Sequence, residues 1–145
     1  MSLRLVHHGR VGATWLGEWP EHNWQVWNYT VSHSQLHVRG IPESDPGGPC
    51  IELLFKPVYR LATSTMSWSG LRLGLRRVTS EGEGVFFLAS TNPFGRHRGH
   101  GVVRASSLHV ATAGLRYRDS VLDRELIWRT LWSREARGNV RSRVA

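Results

Sequence analysis

Hydrophobic and polar residues alternate with period two along much of this chain. Leu71-Arg72-Leu73-Gly74-Leu75-Arg76 puts Leu on one face and Arg or Gly on the other. Successive strand side chains point to opposite faces, so this pattern predicts an antiparallel strand with one buried side. Gln35-Leu36-His37-Val38-Arg39, Ile51-Glu52-Leu53 and Ser107-Leu108-His109-Val110 repeat it, with their polar residues expected on the solvent side. Residues 23–31 are rich in Trp, Val, Tyr and Thr, which suits a strand with bulk on both faces.

Turn chemistry separates these runs. Ser32-His33-Ser34 fits a hairpin between 23–31 and 35–41, and residues 80–84 (Ser-Glu-Gly-Glu-Gly) fit a second one between 70–78 and 85–89. Residues 42–49 hold three Pro and two Gly and predict an irregular loop. Thr91-Asn92-Pro93-Phe94-Gly95 opens another, running to about Gly101. Short strands at roughly 8–12-residue spacing imply a sandwich or a barrel.

One segment departs from period two. Asp119 or Ser120 can cap a helix, and Val121, Leu122, Leu126, Ile127, Trp128, Leu131 and Trp132 follow. Arg134 and Arg137 would meet the negative end of the dipole, and Gly138 would end the helix. The expected fold is mainly β: seven to nine short antiparallel strands in a barrel or sandwich, with one C-terminal helix over about 120–137. Residues 1–138 form one domain in this reading, and 139–145 form a basic flexible tail. At 145 residues the chain can bury a core without staples.

Charge changes the picture more than size does. Residues 96–145 carry eleven Arg against four acids, and residues 1–95 carry seven Arg and Lys56 against seven acids. The two parts thus have nets of +7 and +1, which sum to the overall +8. A one-sided positive field attracts acidic partners. Eighteen of the nineteen basic residues are Arg, which suggests a high-GC bacterial genome and discounts the total as a sign of nucleic-acid binding. Position therefore counts for more than sum. The segment Gly95-Arg96-His97-Arg98-Gly99-His100-Gly101 is Gly-rich and basic, and its N–H groups and guanidinium forks suit an anion. Arg96, His97, Arg98, His100 and Arg104 are the expected anion or partner contacts.

Other chemistry finds thin support. Cys50 is alone, so an intramolecular disulfide and a Cys-based zinc site are excluded, and it reads as a small buried apolar residue. His97 and His100, with His109 as a possible third nitrogen, have ligand-like spacing but no accompanying carboxylate, so no metal and no cofactor is expected. Glu81 and Glu83 read as solvated turn residues. No serine sits in a GxSxG elbow. Seven Trp residues are unusual, and Trp15, Trp19, Trp24, Trp27 and Trp68 are candidates for an aromatic pocket that would take a small apolar ligand. No apolar run has the length of a signal peptide core or a membrane span, so a cytoplasmic protein without membrane contact is expected. The functional expectation is a non-catalytic binding protein of accessory or immunity type, with an acidic protein as partner through its basic C-terminal part. A nucleic-acid-binding module and a β-barrel ligand carrier or enzyme are the alternatives.

Overall fold

A computed structural model describes residues 4–7, 12–92, 99–113 and 127–134. Ten strands are described: β1 (Arg4–His7), β2 (Gly12–Thr30), β3 (Gln35–Pro42), β4 (Cys50–Phe55), β5 (Val58–Thr63), β6 (Ser67–Val78), β7 (Gly84–Ala89), β8 (His100–Ala105), β9 (Ser107–Ala113) and β10 (Arg129–Ser133). Nine follow one another as β10-β9-β4-β3-β2-β6-β7-β8-β5, and β1 pairs with the start of β2. Every pairing is antiparallel. The sheet is not closed into the barrel that the strand spacing allowed. Among the described residues its path ends at β10 and β5, which do not pair with each other.

The alternation explains the main core. Leu71 and Leu73 of β6 are fully buried, while Arg72 and Arg76 are exposed. Leu36, Val38, Leu53, Phe55, Phe86, Leu88, Val103 and Leu108 join them from β3, β4, β7, β8 and β9. Removing each such side chain from water stabilises the fold by about 1.5–3 kcal/mol. The sheet bends enough for Phe55 of β4 to meet Phe86 of β7 edge-to-face, with ring centroids 5.4 Å apart. Cross-strand from Trp24 lies Gly40, and a Cβ there would come within 2.5 Å of the indole ring. Only Gly lets this buried ring lie flat on its neighbour.

Three expectations are corrected. The helix expected over 120–137 is not supported: Arg129–Ser133 is strand β10, paired with β9, and the other positions apart from 127, 128 and 134 lie outside the described residues. The register shifts between Thr130 and Trp132. A bulge there lets the adjacent Leu131 and Trp132 both pack on the core. Trp132 gains an edge contact with Phe86 at 5.4 Å, so tertiary packing outweighs helical patterning.

The polar side of β3 and β4 is not solvated. His37, Arg39 and Glu52 are buried, with Arg39 and Glu52 at 0% exposure. Arg39 and Glu52 are cross-strand partners, and Arg39 Nε donates to Glu52 Oε1 at 2.7 Å. His37 Nε2 bonds the other carboxylate oxygen, and Trp27 lies 4.2 Å from the Arg39 guanidinium carbon. Finally, Glu83 is buried and paired with Arg104 at 3.6 Å, whereas Glu81 is exposed as expected.

Candidate functional site

Two connections, a hairpin turn and one strand end converge where residues next to β10 and β5, the two ends of the strand path, come together. The Ser106-Ser107 dipeptide between β8 and β9 is the hub. The Lys56 N–H donates to the Ser107 carbonyl at 3.1 Å, and the Ser106 N–H donates to the Pro57 carbonyl at 3.2 Å. The Arg134 N–H donates to the Ser106 carbonyl at 2.9 Å. These bonds bring the β4–β5 connection and the end of β10 to the same two serines. The Val58 N–H donates to the Ser34 carbonyl at 2.7 Å, which holds the β2–β3 turn alongside.

A groove of about 880 Å³ opens between these pieces. Its charged and ionisable lining is His33, Lys56, His109 and Arg134, and Ser106, Ser107, Thr130 and Ser133 add hydroxyls. No acidic residue among the described residues lines it. Lys56 and Arg134 are exposed, and neither forms an ion pair among the described residues. Arg134 is further seated against the β6–β7 turn: its Nε lies 3.1 Å from where a Cβ on Gly82 would be.

His109 forms the wall. The Ser107 hydroxyl donates to the Lys56 carbonyl, so it accepts from His109 Nε2–H at 2.9 Å. The Thr130 hydroxyl then donates to His109 Nδ1 at 3.1 Å. This chain satisfies a neutral imidazole. Burial, and then the nearby Lys56 ammonium, hold the His109 pKa below its ordinary value. The Ser107 proton faces a backbone carbonyl and His109 acts as its donor, an arrangement opposite to base activation of a nucleophile.

The expected contact residues are only partly placed. Arg96, His97 and Arg98 lie outside the described residues. His100 is exposed at the start of β8, where its N–H donates to Ser64 Oγ at 3.1 Å. Arg104 sits four residues further along β8 and is engaged with Glu83. Neither lines the groove. Among the described residues, no group of three His, Cys, Asp or Glu is placed to hold a metal ion.

The five Trp candidates do not share one cavity. Trp15 packs on Phe87 at 4.9 Å and under Arg72, and Trp27 faces Arg39 on the other side of β3. Trp24 and Trp68 are cross-strand partners that floor a second cleft of about 440 Å³, with Trp19 against Trp24 at 5.2 Å. Cys50 is buried, as expected.

Comparison with protein-family models, with curated proteins and with solved structures finds no match for this chain. Function must therefore be read from the chemistry of its surfaces. No helix among the described residues is long and apolar enough to cross a membrane.

Proposed function

We propose that this protein is a non-catalytic binding protein whose acidic protein partner docks in the basic groove at the Ser106-Ser107 hub. One observation carries this reading: Lys56 and Arg134, both unpaired among the described residues, are pinned by backbone bonds to adjacent residues in a groove that no described acid lines. Hydroxyls between them supply donors for carboxylate oxygens. Clustered loops on a rigid sheet are a common place for recognition. The groove favours a protein partner over nucleic acid because it is bounded rather than a continuous track. Arg72 and Arg104, both partly exposed, are each engaged by a carboxylate.

The test is binding of a Glu-rich peptide, with random duplex DNA and heparin as comparators, measured by calorimetry at two salt concentrations. The peptide should bind, and its affinity should fall with salt. Lys56→Glu with Arg134→Glu should abolish the interaction, since like charges across an interface cost several kcal/mol. Peptide binding unchanged in that double variant would exclude the groove. Tighter binding of duplex, with a log–log salt slope near −0.9 per phosphate contact, would replace the protein partner with nucleic acid.

A further inference from the structure

The second cleft has different chemistry, and it is made by an irregularity in pairing. Trp19 opposes Leu71 and Asn23 opposes Ser69, so three residues of β2 (Pro20, Glu21 and His22) stand against Gly70 alone. Gly70 has a φ of +68°, a backbone conformation that favours Gly. A Cβ there would collide with Thr91 Oγ1 at 1.9 Å and press on Pro20. The Glu43 N–H donates to the Glu21 carbonyl at 2.9 Å, so the loop after β3 is drawn to the rim of the bulge. Bulges of this kind re-aim side chains and often border functional sites.

The resulting cleft of about 440 Å³ is within the size range of small-molecule sites. Amides from Asn23 and Gln25, the Ser67 hydroxyl and the Glu43 carboxylate line it. No cation does. Its floor holds Trp24 and Trp68, exposed by only 1% and 2%, and the indole Nε1–H of each is a buried donor without an acceptor. A buried donor left unmet costs about 1–3 kcal/mol, so two side by side call for an oxygen nearby.

We propose that this cleft binds a neutral saccharide, independently of the basic groove. A sugar hydroxyl both donates and accepts. It can satisfy the amides of Asn23 and Gln25 and donate to Glu43. An anionic ligand would meet the Glu43 carboxylate and no cation among the described lining residues, and a purely apolar ligand would leave these polar groups unmet.

The experiment is a titration of the ¹⁵N-labelled full chain with lactose, cellobiose and N-acetylglucosamine, at concentrations up to about 50 mM, a range that detects millimolar binding. The indole N–H resonances of Trp24 and Trp68 should shift with at least one sugar, while those of Trp15 and Trp27 stay in place. The double variant Asn23→Ala with Gln25→Ala, at residues outside the buried core, should weaken affinity by roughly tenfold or more, as expected for two lost hydrogen bonds. Lys56→Glu should leave it unchanged, which separates this site from the basic groove. Indole resonances that stay fixed with all three sugars would overturn the proposal. So would sugar affinity that survives the double variant, or a response to inositol hexaphosphate in place of the neutral sugars.

Discussion

Replacing Glu52 by Gln keeps the side-chain shape but removes the charge between Arg39 and His37. The Arg39 guanidinium is at 0% exposure and donates its Nε–H to Glu52, so in the variant a buried cation loses the countercharge of Glu52. Removing one member of a buried ion pair costs about 3–5 kcal/mol. For a chain of this size each kcal/mol moves the melting temperature by about 2–4 °C, so Glu52→Gln should melt about 6–20 °C lower. Arg39→Met should cost a similar amount, because Glu52 then keeps only His37. The combined variant His37→Leu, Arg39→Met and Glu52→Leu removes all the desolvated charge at once. It should recover to within about 1 kcal/mol of the parent, or exceed it, since buried ionic clusters often do no better than apolar packing. Guanidinium denaturation followed by Trp fluorescence provides all four values. Single variants that each cost less than about 1 kcal/mol would mean the cluster is hydrated and the burial argument wrong. A triple variant as unstable as the sum of its parts would mean the charges, rather than their mutual compensation, hold these strands together.

Two further outcomes follow from close contacts and from burial. Gly40→Ala places a Cβ 2.5 Å from the ring of fully buried Trp24, and this overpacking should cost about 1–3 kcal/mol by chemical denaturation, whereas no loss would mean the indole can slide aside. His109 and His22 both have folded pKa values lowered from 6.5, each mainly by burial, with Lys56 adding to the effect at His109 and Glu21 opposing it at His22. The unfolded chain therefore binds these protons first, so stability should fall as pH drops through about 6.5 and stay level with respect to these groups above it. Denaturation midpoints at pH 7.5 and 5.5 should differ less in a His22→Gln, His109→Gln variant than in the parent, and an equal difference would refute the assignment.

Period two made the strands legible because one physical cause, a buried face, produces it. At 71–76 Leu71, Leu73, Arg72 and Arg76 lie as the pattern requires, while Gly74 on the opposite face is covered by the Phe87 ring. The same pattern at 35–39 hides a second buried side. Alternation says which residues share a face but not whether the polar face meets water or meets a partner charge. Arg39 and Glu52 become legible only when register sets them opposite each other. The missed strand has a related cause. A bulge breaks the period at Leu131, and two consecutive apolar residues on one side resemble the stripe of a helix. The second hairpin was legible for its turn residues, yet the burial of Glu83 there depends on Arg104 from β8, a partner that local sequence does not reveal.

The same reasoning limits what the charge total can mean. Excess Arg in a sequence is potential, and the sheet decides how much is left as free field. Arg39, Arg72 and Arg104 are each met by a carboxylate, so three positive charges are already compensated near their source. Lys56 and Arg134 are different because the main chain holds them together while no acid among the described residues lines their groove. Their importance had no local sequence signal: Lys56 lies in the nearly neutral part of the chain, and Arg134 was expected in the last turn of a helix. The β10–β9 pairing and the Ser106-Ser107 connection create the site by bringing a residue from each part to one dipeptide. The proposed docking place therefore rests on this groove, where no acid among the described residues lies, rather than on the +7 balance of residues 96–145.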